Sequence, residues 1–166
     1  MDRIMIIGCG GAGKSTLARK LGEKLSIPVV HLDKLWWKPG WIESERDAFD
    51  CALAAELEKP RWIMDGNFSR TLRMRLERCD TVIYLDFPRI TCILSVLIRV
   101  LSNWGKTRPD MTPGCNERFD FEFLKWIWNY NRKNRENNYR LMSEIDHAQT
   151  VVLKNRTMVR RYLNSL

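Results

Sequence analysis

The sequence has 166 residues, of which 45% are hydrophobic and 29% are charged, a composition that excludes a disordered chain. This length suffices for one domain with its own hydrophobic core. The formal net charge is +8, and it is concentrated in the second half: residues 1–86 hold 14 Lys and Arg against 13 Asp and Glu, whereas residues 87–166 hold 14 against 7.

Short β-like runs alternate with amphipathic helical stretches along the chain, the pattern of a parallel sheet covered by helices. Ser44 is placed to cap the second helix, and Pro88 to begin the fourth. The predicted strands are residues 3–7, 27–32, 61–64, 81–87 and 150–154. The predicted helices of this alternating pattern are residues 14–25, 43–59, 69–79, 88–103 and 156–166.

Residues 105–140 interrupt this alternation. Residues 105–120 (GKTRPDMTPGCNERFD) contain two prolines and two glycines, which predict a loop. A further helix is predicted over residues 121–141 (FEFLKWIWNYNRKNRENNYRL). We therefore expect a single domain spanning residues 1–166, with a basic lid inserted at about 105–140.

The apolar runs and the cysteines bear on the compartment. The apolar run before Gly8 is only four residues long, and the longest one, residues 90–101, carries Arg99. Neither run has the length of a secretion signal or of a membrane span, so we expect a cytoplasmic protein with no membrane association. The five cysteines are scattered and form no CxxC motif, which favours free thiols over a disulfide framework or a zinc site.

Residues 8–15 (GCGGAGKS) match the motif G-x-x-x-x-G-K-[ST] and lie between a predicted strand and a predicted helix. Glycines let successive backbone N–H groups turn inward around a phosphate, and the helix N-terminus adds a partial positive charge. Lys14 would reach the β- and γ-phosphates of a nucleotide, and the Ser15 hydroxyl would bind Mg²⁺. The residues assigned to the nucleoside triphosphate are Gly8, Gly10, Gly11, Ala12, Gly13, Lys14, Ser15 and Thr16.

Three stretches, of which this loop is the first, resemble the nucleoside-monophosphate kinase superfamily, which includes adenylate, shikimate and gluconate kinases. The loop itself is similar to the GxPGxGKxT of adenylate kinases. Residues 64–71 (MDGNFSRT) look like their DGFPRT with one residue inserted, and residues 82–88 (VIYLDFP) look like their strand ending in LDxP. The resemblance implies an α/β P-loop three-layer sandwich, with helices on both faces of a five-stranded parallel sheet in the order 2-3-1-4-5.

The resemblance is more specific to one branch, known as DNA topology modulation proteins or adenylate-kinase-related proteins. Residues 31–41 (HLDKLWWKPGW), 65–89 and 108–135 carry it, and together they make up 64 of the 166 residues. The branch implies a kinase-like fold more directly than it implies a reaction, because its name refers to DNA supercoiling and not to a substrate.

Three carboxylates are predicted at the carboxyl ends of neighbouring strands, where doubly wound sheets bind ligands. Asp33 is expected to orient an acceptor hydroxyl or to accept its proton, as its counterpart does in small-molecule kinases of the superfamily. The alternative is a helix cap or a turn. Asp86 is expected to hold Mg²⁺ through water, the alternative being a turn at the strand end. Asp65, with Gly66 and Asn67, forms a turn at which the backbone can approach a ligand closely.

Other residues are assigned to the acceptor by their positions. Arg70 matches the arginine of DGFPRT that binds the acceptor phosphate in adenylate kinases, if the inserted residue is absorbed in the loop. Trp37 lies close to Asp33 and could stack on a base, although such aromatic residues more often pack in a core. Arg73, Arg75 and Arg78 are interpreted as a solvent-exposed helix face.

The lid and the last strand complete the predicted nucleotide site. Superfamily members close a lid whose arginines neutralise the γ-phosphate in the transition state. By position, Arg99, Arg118 and Arg132 are assigned this catalytic role alongside Lys14 and Asp33. Lys154, Asn155 and Arg156 follow the last strand, where the superfamily binds adenine; the alternative for these three residues is an exposed helix start.

The leading hypothesis is an ATP- and Mg²⁺-dependent phosphotransferase that acts on a small acceptor, for example a nucleotide or nucleoside. The alternative is an ATP-binding regulator that affects DNA topology, favoured by the basic second half and by aromatic, asparagine and arginine residues that interleave in residues 126–140. That helix could equally pack with Phe123, Ile127 and Tyr130 inward. An ATPase without an acceptor, and a monomer or a homodimer, stay open.

Overall fold

The computed structural model describes all 166 residues, Met1–Leu166, and arranges them around a five-stranded parallel sheet. The strands are β1 (Arg3–Gly8), β2 (Val29–His31), β3 (Trp37–Lys38), β4 (Ile42–Glu43), β5 (Trp62–Asp65), β6 (Thr81–Leu85) and β7 (Gln149–Leu153). The helices are α1 (Lys14–Leu25), α2 (Leu32–Trp36), α3 (Arg46–Leu57), α4 (Leu72–Arg78), α5 (Arg89–Asn103), α6 (Phe121–Ser143) and α7 (Arg156–Ser165). A 3₁₀ turn, Ser69–Thr71, precedes α4.

The main sheet has the strand order β2-β5-β1-β6-β7, and every pair in it is parallel. With the separate antiparallel hairpin β3–β4 set aside, this is the predicted order 2-3-1-4-5, so the predicted fold is confirmed. The central strand β1 is buried on both faces, which is why its residues 4–7 form an uninterrupted apolar run.

Two hydrophobic layers cover the sheet because successive strand residues point to opposite faces. Ile4 and Ile6 of β1 pack in the layer that contains residues of α1 and α5, with α7 at its edge. Met5 and Ile7 pack in the opposite layer, with residues of α3 and α4. The result is the three-layer sandwich that the alternation of elements predicts.

Helix α6 crosses from one of these layers to the other. Its first half buries Ile127 and Tyr130 against the layer of α1 and α5, and its last turns bury Met142 against the layer of α4. The inward packing of Phe123, Ile127 and Tyr130, one of the two interpretations of this helix, is therefore what the structure has. The helix passes over the carboxyl edge of the sheet, where it roofs the candidate site.

Some local predictions were wrong. Ser44 does not cap α3: Glu45 holds the N-cap position, and the Ser44 hydroxyl donates to the carbonyl of Leu35, 3.2 Å away. Arg75 is not on a solvent-exposed face, since its side chain is completely buried. The hairpin β3–β4 was not predicted, because its strands have only two residues each.

All five cysteines are free thiols, and Cys51 alone among them is exposed. No helix combines the length and the apolar character needed to cross a membrane.

Candidate active site

The loop between β1 and α1 depends on its glycines. Gly8, Gly11 and Gly13 have φ angles of 145°, 81° and 94°, a region that disfavours side chains. A Cβ atom on Gly11 would lie 2.3 Å from the carbonyl oxygen of Cys92, and one on Gly8 would lie 2.6 Å from that of Leu85. The loop therefore holds a curve, packed against neighbouring backbone, that other residues could not adopt.

The loop is suited to bind a polyphosphate because it leaves backbone N–H donors free. Gly13 is the N-cap of α1 and offers no side-chain cap, and the first turn of the helix contains no acidic residue. The first backbone N–H groups of α1 thus remain available for an anion. The ammonium of Lys14 donates to the carbonyls of Gly8 (2.9 Å) and Cys9 (3.0 Å), so it folds back over the loop. Ser15 beside it is half-buried, and Thr16 is exposed.

The structure brings Asp33 into the same electrostatic environment as Lys14. Asp33 lies in the first turn of α2, directly after β2. Burial raises the pKa of its carboxyl above the ordinary value, and the positive charge of Lys14 acts in the opposite direction. Asp65 and Asp110 add to the rise in this pKa, whereas Arg108 opposes it. A partly desolvated carboxyl that feels the charge of the loop lysine is suited to exchange a proton.

Asp65 and the turn after it, which were predicted to bind the acceptor, contact the glycine-rich loop. Asp65 is buried and accepts a hydrogen bond from Nδ1 of His31. A Cβ atom on Gly66 would lie 2.9 Å from the Cβ of Leu32. Oδ1 of Asn67 accepts from the backbone N–H of Gly8 at 3.2 Å. The predicted turn is therefore fastened to the first residue of the loop.

Arg75, which sequence reasoning assigned to an exposed face, supports this turn. Its guanidinium donates to the carbonyls of Gly66 (3.0 Å), Asn67 (2.6 Å) and Phe68 (3.1 Å). Burial lowers the pKa of Arg75 to about 10, which still leaves it charged at neutral pH. Phe68 has a φ angle of 26°, a strained conformation that these bonds hold in place. Only its position on the inner face of α4 could have distinguished Arg75 from its basic neighbours.

Asp86 follows β6 and is held by α6. Its Oδ2 accepts from Arg135 (2.8 and 3.1 Å) and from the hydroxyl of Tyr139 (2.9 Å). The hydrogen bond to Asp86 raises the pKa of Arg135. Nowhere in the chain do three His, Cys, Asp or Glu side chains cluster so as to hold a metal ion on their own. Mg²⁺ in kinase sites takes most of its ligands from phosphates and water, so Ser15 and Asp86 stay the predicted protein ligands.

The predicted acceptor residues Arg70 and Trp37 both contact other side chains of the protein. Arg70 makes a bidentate pair with Asp50 of α3, with both N–O distances at 2.6 Å. Trp37 is half-buried and packs edge-on against Trp36 and Trp41 at centroid distances of 6.5 and 5.5 Å. Both side chains are occupied by neighbours in the protein, and their roles toward an acceptor stay predictions.

The loop 105–120 carries a buried ion network at the same edge. Arg108 pairs with Asp110 and Glu117, and Nε of Arg99 lies 3.3 Å from Oε1 of Glu117. Burial lowers the pKa of Arg99. Among the arginines of the predicted lid, Arg108 is the one that acts electrostatically on Asp33, and the sequence did not single it out.

The other two predicted lid arginines are outside this ion network. Arg118 lies 5.8 Å from the ring centroid of Trp41, and Arg132 is exposed on α6 without an ion pair. At the predicted base site, Oδ1 of Asn155 accepts from the N–H of Met158 at 2.9 Å and so caps α7. Arg156 donates to the Ser95 hydroxyl at 2.8 Å. Lys154 is exposed, and contacts of these three residues with a base stay a prediction.

A cavity of about 260 Å³ lies beside the loop, between the turn after β5 and the underside of α6. Asn134, Asn137 and Asn138 of α6 contribute three of its polar side chains, and sequence reasoning assigned none of them. No charged residue lines the cavity. Its full lining is Ile7, Asn67, Phe68, Ser69, Leu72, Trp126, Tyr130, Asn134, Asn137 and Asn138.

Two solved structures resemble this arrangement of loop, sheet and helices. One is a shikimate kinase from Bacteroides thetaiotaomicron, with 17% sequence identity, a TM-score of 0.56, and coverage of 99% of this chain and 95% of that chain. The other is the shikimate kinase from Acinetobacter baumannii in complex with shikimate, with 17% identity, a TM-score of 0.60, and coverage of 99% and 90%. Shikimate kinases have the P-loop nucleoside-monophosphate-kinase-like fold, and this chain shares that fold.

At 17% identity, this likeness shows the fold and leaves the substrate open. No protein-family model matches the chain, and no curated protein matches it. The topology-modulation branch, which the sequence resembles, therefore stays a prediction.

Proposed function

We propose that this protein is a P-loop kinase that transfers the γ-phosphate of ATP to a hydroxyl of a small acceptor. The observation that carries the proposal is the position of Asp33, a partly desolvated carboxyl within electrostatic reach of Lys14 at the carboxyl edge of the sheet. The shared fold of the shikimate kinases supports the same reaction class.

Several residues near the loop would take part in this reaction. The backbone N–H groups that begin α1 would bind the phosphates, and Lys14 would leave the carbonyls of Gly8 and Cys9 to contact the β- and γ-phosphates. Ser15 and Asp86 would hold Mg²⁺, which, when bound, offsets the negative charge of the phosphate oxygens. The loop 105–120, with Arg108, would exclude water from the edge.

The transfer needs no covalent intermediate on the protein. The acceptor oxygen forms a bond to the γ-phosphorus, and the bond from that phosphorus to the β–γ bridging oxygen breaks, so that ADP leaves with the electron pair. The hydroxyl proton passes to the carboxylate of Asp33. Because such transition states are loose, positioning and electrostatic stabilisation would supply most of the catalysis.

The experiment that tests the proposal measures ADP release from Mg·ATP against nucleoside monophosphates, nucleosides, monosaccharides and hydroxy acids. We expect one acceptor class to stimulate release, and we expect Lys14→Ala and Asp33→Asn each to reduce the stimulated rate by about 10²- to 10⁴-fold. Lys20→Ala and Asp47→Asn, at exposed positions of α1 and α3, serve as matched controls and should leave it unchanged. The proposal would be refuted if no acceptor stimulated ADP release and if Lys14→Ala released ADP at the wild-type rate.

A second candidate, an ATP-binding regulator of DNA topology, is favoured by the uneven charge. Residues 87–166 hold 14 Lys and Arg against 7 Asp and Glu, and Arg132 of α6 is exposed without an ion pair. A regulator would bind plasmid DNA with an affinity that falls steeply with salt, and would release ADP at the same rate with and without any acceptor. Measuring both on the same preparation separates the two functions.

A further inference from the structure

The cavity under α6 is uncharged, which is unusual for the site of a kinase in a protein with a net charge of +8. Its polar side chains are four asparagines, one serine and one tyrosine, and the rest of its lining is apolar or aromatic. Burial raises the pKa of Tyr130 to about 12, so its hydroxyl keeps its proton at neutral pH. A phosphate or carboxylate on a ligand would find no cation in the lining to pair with it.

Several amide groups of the lining have hydrogen-bonding capacity to spare. Nδ2 of Asn134 donates to the carbonyl of Tyr130 at 3.0 Å, which leaves its Oδ1 without a partner in the protein. Oδ1 of Asn137 accepts from Arg140 at 2.8 Å, which leaves its Nδ2 free. Oδ1 of Asn67 accepts from Gly8 and Tyr130, and its Nδ2 is likewise free. The lining thus offers both donors and acceptors, and all of them are neutral.

Aromatic rings form the other part of the wall. Trp126 lies at a centroid distance of 5.0 Å from Tyr130, and both rings line the cavity together with Phe68. Flat faces of this kind pack against rings, whether of a base or of a sugar. The volume of about 260 Å³ is slightly below the range that holds drug-sized ligands, so it suits a ligand of one or two small rings.

The cavity adjoins the phosphate-binding loop. Asn67, which lines it, bonds to the N–H of Gly8. A Cβ atom on Gly10 would lie 2.7 Å from Phe123 and 3.2 Å from Trp126, so α6 packs directly on the loop. A molecule in the cavity would therefore lie next to the residues that hold the phosphates.

We propose that this cavity is the acceptor site and that the acceptor is an uncharged ring compound bearing hydroxyl or amide groups, recognised by Asn67, Asn134 and Asn137. The proposal rests on the kinase function proposed above and excludes nucleoside monophosphates and hydroxy acids as the preferred acceptors. The hydroxyl of the ring compound forms a bond to the γ-phosphorus, and ADP leaves with the bridging oxygen and its electron pair. The hydroxyl proton passes to Asp33, which is not part of the lining but interacts electrostatically with Lys14 of the adjoining loop. Nucleosides and monosaccharides share this chemistry.

The test compares uncharged ring compounds with their charged counterparts. Calorimetric binding without ATP is measured for nucleosides, monosaccharides, nucleoside 5′-monophosphates and sugar phosphates, and ADP release is measured with the same compounds. We expect a nucleoside or a monosaccharide to bind and to stimulate ADP release at least tenfold more effectively than its phosphorylated form. The compound that binds and stimulates ADP release, a nucleoside or a monosaccharide, identifies the class of the acceptor.

Asn134→Ala and Asn137→Ala are expected to raise the KM for the acceptor about tenfold while leaving the KM for ATP unchanged. Asn129→Ala is a matched control, because Nδ2 of Asn129 donates to the carbonyl of Lys125 at 2.9 Å, the same bond to the preceding turn that Asn134 makes. Asn129 does not line the cavity, so its variant should keep the wild-type KM for the acceptor.

The two proposals can fail separately. Preference for a phosphorylated or carboxylated acceptor, or an unchanged acceptor KM in both asparagine variants, would overturn the cavity assignment and leave the kinase standing. Calorimetric binding of an uncharged ring, lost in Asn134→Ala but without ADP release, would support the cavity as a binding site and overturn the kinase. Neither binding nor release with any compound would overturn both.

Discussion

Asp33, the proposed proton acceptor, carries a cost to the stability of the fold. The folded protein raises the pKa of this carboxyl by burial, so between the ordinary value and the raised one the folded state binds the proton more tightly than the unfolded chain does. The contribution of Asp33 to stability therefore falls as pH rises through that interval. Desolvation of a carboxyl in a site lowers the stability of the fold while it raises the proton affinity of that carboxyl.

The first prediction concerns Asp33→Asn. Because the amide has no charge to desolvate, the variant should melt at a higher temperature than wild type, and the difference in Tm should be larger at pH 7 than at pH 4. Thermal unfolding of both proteins across this range checks it, with Asp47→Asn, at an exposed position, as the control. A difference in Tm that does not change with pH would mean that Asp33 is not desolvated.

The shape of the phosphate-binding loop depends on backbone conformations that residues with a Cβ atom disfavour. Gly11 and Gly40 have the same φ angle of 81°, but a Cβ atom would meet the carbonyl of Cys92 at Gly11 and nothing within 4 Å at Gly40. The two positions thus separate backbone strain from steric overlap.

The second prediction uses this pair. Gly40→Ala should cost about 1–2 kcal/mol of unfolding free energy through its left-handed backbone alone. Gly11→Ala should cost about 2–5 kcal/mol, because the overlap with backbone is added to the same strain. Urea unfolding measures both values, and equal costs for the two variants would contradict the packing of the loop against α5.

Helix α6 is fixed over the sheet edge by the contacts of Asp86. The side chain of Asp86 is only 2% exposed, whereas Arg135, its ionic partner, is 53% exposed. Solvent around Arg135 weakens the ion pair. The buried carboxylate of Asp86 would nevertheless be destabilising without hydrogen-bond donors.

The third prediction is that Arg135→Ala lowers the unfolding free energy by about 1–3 kcal/mol, since Asp86 keeps only the hydroxyl of Tyr139. Amide hydrogen exchange should rise in the second half of α6 and stay unchanged in α1. Arg132→Ala, which removes an exposed arginine without an ion pair, should change stability by less than about 0.5 kcal/mol. Unchanged exchange in the Arg135 variant would show that apolar packing alone fixes the helix.

The whole molecule should respond to nucleotide, because a ligand that binds only the folded state stabilises all of it. The fourth prediction is that Mg·ATP at 100 times its Kd adds about 2.7 kcal/mol and raises Tm by roughly 5–10 °C for a domain of this size. Lys14→Ala should show a smaller rise in Tm at the same Mg·ATP concentration. Adenosine, which lacks phosphates, should raise the Tm of the wild-type protein less than Mg·ATP does. An unchanged Tm at millimolar Mg·ATP would exclude a nucleotide-binding loop.

The order of the strands in the sheet was expected from the family resemblance. The sequence by itself determined the strands of the main sheet, the phosphate-binding loop and most helix bounds. These features depend on residues close together in the chain: an apolar run marks β1, and eight consecutive residues (GCGGAGKS) make the loop. The helix α1 has the predicted bounds, residues 14–25. Local patterns of this kind can be read without knowing what packs against them.

Only the tertiary structure decided how distant segments meet at the sheet edge. Arg75 in the basic helix is buried under the turn 66–68, Arg108 reaches the environment of Asp33, and the asparagines of α6 line a cavity with Asn67. For Arg75, the only local signal is its place between Leu72 and Leu76 on the inner face of α4. The positions of Arg108 beside the Asp33 environment and of the α6 asparagines beside Asn67 depend on elements tens of residues away, which no local pattern encodes. The loop could be identified from its motif, whereas the cavity proposed as the acceptor site exists only because α6 crosses from one face of the sheet to the other.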